Sequence, residues 1–311
     1  MAVTVKEINY KVYGKCVEIS NGIVDAVVTV DVGPRIIRYG FVGKENFMFE
    51  DLNDDVKVSN KQMDKVYGTG ATYHCYGGHR IWMSPENMPL TYYPDNDPVE
   101  WEAFEEGAVF YAPIQEVNEV QYEMMIMMDD ESPELRLTQR IVNLSEYKKR
   151  LAIWSLTVLN KDGLEIVPQP NRNSGLLHNR SISLWPYSNM ADERVYWGKN
   201  FITLKQNSKA KTAFKFGING EQCWGAYLNN DMMFVKTFIH NQDGIYPDNG
   251  MSYETFTNNH FIELETLSEM VDVLPGSSVV HAEGWTLFDN VAMPDAKNEA
   301  AILRIMKEYI D

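Results

Sequence analysis

The stretch Tyr73-His74-Cys75-Tyr76-Gly77-Gly78-His79-Arg80-Ile81-Trp82-Met83-Ser84-Pro85-Glu86 gathers chemistry-bearing side chains around a Gly-Gly pair. Glycine lets the backbone take a positive φ or approach a ligand closely. Trp82 and the two tyrosines offer flat apolar faces, while His74, His79, Arg80 and Glu86 offer directed hydrogen bonds. A sugar presents the matching surface, an apolar ring face with a rim of hydroxyls. The same composition also fits a loop whose aromatics fill core and whose charges pair at the surface.

A second stretch, Tyr253 to Thr266, carries Glu254, Glu263 and Glu265. Glu263 and Glu265 are two apart on an expected strand, so both face one side while Ile262 and Leu264 face the other. Neighbouring carboxylates raise one proton affinity, which suits a general acid or base. A solvated acidic strand face is the plainer alternative. Arg35 and Lys236 each sit among apolar residues, in Gly33-Pro34-Arg35-Ile36-Ile37 and Phe234-Val235-Lys236-Thr237-Phe238. Turned inward, such a cation needs a carboxylate partner or an anionic or polyol ligand; turned outward, it is an edge charge. With Arg80 they form a candidate patch for a carboxylate or phosphate. Trp82 and Trp154 are candidate stacking platforms.

His74 and His79 are five apart with no third ligand at zinc spacing, and no calcium-loop pattern occurs, so neither metal nor cofactor is expected. GxSxG, GxxxxGK[ST] and GxGxxG are all absent from the sequence, which removes the usual support for serine hydrolase, P-loop and Rossmann readings.

The elements that must hold these residues have period two. Glu134 to Asn143 puts Leu135, Leu137, Gln139 and Ile141 on one face and Arg136, Thr138 and Arg140 on the other. Cys16–Ser20, Asn21-Gly22 and Ile23–Val30 predict a hairpin with a type I′ turn. One helix is predicted near the end, starting at Pro294-Asp295, with Ile302, Ile305, Met306 and Tyr309 on one face. Many antiparallel strands without a repeat or linker predict one domain over residues 1–311, a large sandwich or barrel.

Composition bounds the partners. Lys plus Arg number 28 against 44 Asp plus Glu, a net charge of −16, which argues against nucleic acid and anionic membrane surfaces. Cys16, Cys75 and Cys223 are far apart and form no CxxC pair, and the start MAVTVKEINY has no apolar signal core. A reducing, cytoplasmic location is the expectation. Oligomeric state is not legible.

Several segments resemble the galactose mutarotase-like (aldose 1-epimerase-like) superfamily: Gly33–Ile37, GGHRIWMSPE at Gly77–Glu86, AIWSLTVLNKDG at Ala152–Gly163, FVKTF at Phe234–Phe238, SYETFTNNHFIELETLSEM at Ser252–Met270 and LPGSSVVHAEGWTLF at Leu274–Phe288. The resemblance runs along nearly the whole chain. It implies an all-β fold, a large antiparallel β-supersandwich with a short C-terminal helix, and a small-molecule sugar as partner. It also implies aldose 1-epimerase-like anomer exchange, with Glu265 as base nine residues before Leu274-Pro275-Gly276 and Glu263 as its rival. Gly77-Gly78 then puts His79, as acid, and Arg80 beside the sugar. The His that epimerases carry after the middle strands has no counterpart in Ala152-Ile153-Trp154-Ser155-Leu156-Thr157. A non-catalytic sugar-binding protein is therefore the alternative, and an oligosaccharide lyase or hydrolase the more distant one.

Overall fold

The computed structural model describes residues 2–310. Alternating sequence makes long strands, and the strands sort into two large antiparallel sheets. In spatial order the first sheet runs Thr4–Asn9, Lys15–Ser20, Val24–Thr29, Ile36–Phe41, His79–Ser84, Lys149–Leu159, Ile262–Leu267, Tyr253–Thr257, Phe214–Ile218 and Ile182–Leu184, with Val271–Val273 paired to Lys149–Leu159. The second runs Val195–Trp197, Phe201–Lys205, Leu164–Pro168, Trp224–Asn229, Met232–Phe238, Ser278–Asp289, Glu134–Asn143, Val120–Met128, Gly107–Tyr111 and Glu100–Phe104. Their inner faces interdigitate. Val17, Ile19, Ile81, Ile153 and Leu264 come from the first sheet, and Phe110, Met124, Leu135, Leu137 and Trp285 from the second.

Each strand has one face in this core, so the outer face of the first sheet is free to carry a site. Gly77 and Gly78 turn the chain into the His79–Ser84 strand with φ of 96° and 63°. A Cβ at Gly77 would overlap the Phe49 carbonyl, and one at Gly78 the Ile36 carbonyl. A short pair, Lys57–Val58 with Tyr73–His74, stands beside that face. It encloses the helix Lys61–Tyr67, which Asn60 caps by accepting from Gln62 N and Met63 N at 2.9 and 3.0 Å.

Two local expectations are corrected. Lys15–Ser20 and Val24–Thr29 do pair, but of Asn21 and Gly22 only Gly22 takes a positive φ. Asn21 is instead buried: its Oδ1 accepts from Ile23 N and Val24 N, and its Nδ2 donates to Asp129 O and Ser132 O. The C-terminal helix spans Glu299–Tyr309 and starts at Asn298, because Asp295 bonds Lys297 N in a turn of its own. It buries Ile302 and Met306 against Ile166, Leu228 and Met233, on the outer side of the second sheet. No helix among the described residues is long and apolar enough to cross a membrane.

Candidate functional site

Strand register assembles the site. Arg80 pairs with Leu156, Leu156 with Glu265 and Glu265 with Glu254, so four strands place these side chains in one row on the outer face. A second row runs Glu263, Phe256 and Lys215. Trp82 faces Trp154 one step further along. All of these but Glu254 floor a cleft of about 240 Å³.

Segments between the strands wall it. Tyr73 comes from the short strand pair, and Glu86 and Tyr92 from the loop after Ser84, where the Tyr92 hydroxyl donates to Glu86 at 2.5 Å. Tyr73, Trp82, Tyr92 and Trp154 pack ring against ring at 4.9 to 5.6 Å. From the far side a strap brings in Trp185 and Tyr187. Ser188 fastens it to Lys215, its Oγ donating to Lys215 O at 2.6 Å and accepting from Lys215 N at 2.8 Å.

The charges form two linked groups. Arg80 Nη2 donates to Glu263 Oε1 at 3.1 Å, and its guanidinium lies 4.4 Å over the Trp82 ring. Lys215 Nζ lies 2.8 Å from both Glu254 Oε2 and Glu265 Oε2, between the Trp154 and Trp185 rings at 4.4 and 4.5 Å. Trp154 Nε1 donates to Glu265 Oε2 at 2.7 Å. Burial opposes the Lys215 charge, but Glu265 and Glu254 outweigh it and hold the ammonium protonated. Burial pushes Glu263 up to about 7 against the pull of Arg80, and drives Glu254 well above the usual carboxylate range against the pull of Lys215. Two buried cations face three buried carboxylates, and Glu254 and Glu263 are the two that burial drives to hold a proton. Burial also raises the hydroxyls of Tyr73, Tyr92 and Tyr187, so none of them is acidic near neutral pH.

Some polar atoms here are unused. Arg80 Nε and Nη1, the Tyr73 hydroxyl and Glu265 Oε1 are buried without a hydrogen-bond partner among the described residues. Such atoms cost free energy unless a ligand or water completes them. Among the described residues no group of three or more His, Cys, Asp or Glu is arranged to hold a metal.

Of the residues expected from sequence, Arg80, Trp82, Glu86, Trp154, Glu263 and Glu265 line the cleft, and Glu254 lies beneath Lys215. The others lie elsewhere. His79 is one residue from Arg80 and so points the opposite way, between the sheets. Its ring bonds Thr157 Oγ1 at 2.8 Å and Gln139 Oε1 at 3.1 Å, and burial pulls its pKa down to about 3. It cannot reach a ligand beside Glu265, which corrects its assignment as the acid. Lys236 belongs to the second sheet, is fully buried and pairs with Glu283 at 2.9 Å. Arg35 is buried against Asp95 at 2.7 Å, outside the cleft. His74 turns away from the cleft to Asp54 at 2.5 Å. The expected Arg35–Arg80–Lys236 patch is therefore not assembled.

Sequence reading missed Lys215, the walls Tyr92 and Tyr187, and Trp185 against Lys215; Tyr73 belongs to the aromatic stretch it singled out. Phe214-Lys215-Phe216-Gly217 has the same cation-among-apolars pattern as Lys236, so the signal was present.

No family model matches the chain, and no curated protein matches it. Solved structures do. The galactose mutarotase-like protein of Lactobacillus casei ATCC 334 is 10% identical, with 88% of this chain and 100% of that one covered at a TM-score of 0.54. A candidate aldose 1-epimerase of Klebsiella pneumoniae subsp. pneumoniae MGH 78578 is 14% identical, with 94% and 83% covered at 0.60. A TPR-domain containing protein of Parabacteroides distasonis ATCC 8503 is 10% identical at 0.59, and this chain spans about half its length, 48%. At such identities the likeness is one of fold: this chain has the galactose mutarotase-like fold, a large antiparallel β-sandwich.

Proposed function

We propose that the cleft binds a single sugar ring and that the chemistry it supports is aldose 1-epimerase-like anomer exchange. The observation carrying the reading is the set of buried, unpartnered donors and acceptors, Arg80 Nε and Nη1, the Tyr73 hydroxyl and Glu265 Oε1, beside an aromatic wall. A polyol ring completes such a set, its apolar face on Trp82 or Trp154 and its hydroxyls on the polar atoms. About 240 Å³ lies below the ~300 Å³ where pockets for drug-sized ligands begin, which suits one ring rather than a chain.

In anomer exchange Glu265 Oε1 takes the proton of the anomeric hydroxyl while an acid protonates the ring oxygen. The bond between the anomeric carbon and the ring oxygen breaks, and the open aldehyde recloses on its other face. With His79 behind the floor, Glu263 is the group whose proton affinity suits the acid. Binding without catalysis is the second reading. It is favoured by Glu263 and Glu265 standing on the same face of one strand, whereas ring opening is best served from two sides.

Anomer exchange by NMR on neutral, acidic and phosphorylated sugars, with wild type and Glu265→Gln side by side, tests both readings. Exchange accelerated by wild type and lowered about 10²–10⁴-fold in the variant supports the epimerase reading. Ligand line-broadening without acceleration supports binding alone, and neither effect on any sugar overturns both. Neutral sugars are expected to bind more tightly than phosphorylated ones, because Arg80 is already paired with Glu263, and Lys215 with Glu254 and Glu265, which among the described residues leaves no unpaired cation at the site for a phosphate.

A further inference from the structure

Behind the cleft floor lies a buried polar layer that the proposed chemistry does not use. Lys236 reaches across from the second sheet, and its Nζ donates to the Leu264 carbonyl at 3.0 Å. Its counterion Glu283 accepts from Trp285 Nε1 at 2.9 Å and from the Thr266 hydroxyl, which also bonds His281 Nε2 at 2.7 Å. Leu264 and Thr266 are the inward-facing neighbours on either side of Glu265. The strand carrying Glu265 is thus tied from behind at the residue before it and the residue after it.

A buried ion pair is costly to desolvate and is weak evidence of stabilisation in itself. What this pair adds is geometric: a charged donor on a main-chain carbonyl of the cleft floor. We infer that Lys236, with Glu283, is a positioning residue that fixes the height and tilt of Glu265 relative to Trp154 and Lys215. The titratable groups facing this strand are Arg80, Lys215 and Glu254 on the cleft side, and Lys236, Glu283, His79 and His281 behind it. The inference rests on the sugar-cleft reading for its functional meaning, but its geometry is testable without a sugar.

Trp154 supplies the reporter, because its indole N–H donates to Glu265 Oε2. Its indole resonance in ¹H–¹⁵N NMR, assigned with Trp154→Phe, is followed in wild type, Lys236→Met, Glu283→Gln and Gln139→Leu. Gln139 bonds His79 and Ser155 in the same layer, neither of them on the Glu265 strand, so its variant controls for simple loosening. In folded Lys236→Met the Trp154 resonance is expected to move toward that of a free indole. Affinity for whichever sugar the wild type binds should fall about tenfold. Glu283→Gln should give the same change in smaller measure, and it is the deciding variant if Lys236→Met does not fold. A Trp154 resonance that stays at its wild-type position in the deciding variant, or moves equally in Gln139→Leu, overturns the inference. If the wild type binds no sugar, the cleft reading fails and the indole signal still decides the positioning claim.

Discussion

Trp154 has one hydrogen-bond donor, and it points at Glu265. Trp154→Phe keeps most of the apolar wall and removes that donor, leaving a buried carboxylate with one partner fewer. The cost is about 1–3 kcal/mol, split between stability and sugar affinity. Thermal unfolding and sugar titration on the same variant measure the two shares. At this scale the sequence was half legible. Glu263 and Glu265 could be assigned one face because they are two apart, and they share it. His79 and Arg80 are adjacent, and strand geometry allows only one of them on the wet face. A motif that carries both to the sugar had to be wrong about one. Lys215 and Lys236 show the deeper limit. Both are cations among apolar residues, and alternation says nothing about which face of a strand meets the other sheet.

The elements were more legible than the space between them. Period-two patterns mark the long strands, and the C-terminal helix shows its apolar stripe. The cleft walls come from irregular segments, the loop after Ser84 and the strap to Ser188, where no periodicity exists to be read. The Asn21-Gly22 turn failed for a related reason: Asn21 is used for tertiary hydrogen bonds, which local turn statistics do not contain. One local signal did carry structure. Gly77 and Gly78 are required by close approach to the backbone at Phe49 and Ile36 as well as by positive φ. Gly78→Ala is therefore expected to cost at least about 1–3 kcal/mol from backbone strain alone. Denaturant unfolding should show the loss, and sugar affinity per folded molecule should fall with it, since Arg80 is two residues away on the strand that this turn starts.

Across the whole molecule, buried titratable groups set how stability depends on pH. His79 and His281 are pulled down by burial to about 3 and about 4. Below their ordinary range the unfolded chain takes up protons that these rings cannot, so their contribution is lost as pH falls from about 6.5 toward those values. Glu165 is opposite: burial pushes it up to about 8. Its contribution is complete below the ordinary carboxylate range and lost as pH rises through 8. Glu165→Gln removes that alkaline loss, so its melting temperature relative to wild type should climb between pH 5 and 9. His79→Gln should gain on wild type as pH falls from 7 to 4. Calorimetry across pH checks both, and parallel curves for a variant and wild type would contradict the corresponding assignment.

Arg80 and its partner Glu263 are separated by 183 residues of chain. Contacts that close such long loops come late and slowly, because the loop entropy is paid before the contact rewards it. The cleft is complete only when strands from residues 79 to 265 have paired in register. A bound sugar acts on the finished fold alone. It should therefore slow unfolding while leaving the folding rate nearly unchanged, so that the ligand lengthens the life of the native protein without helping to make it.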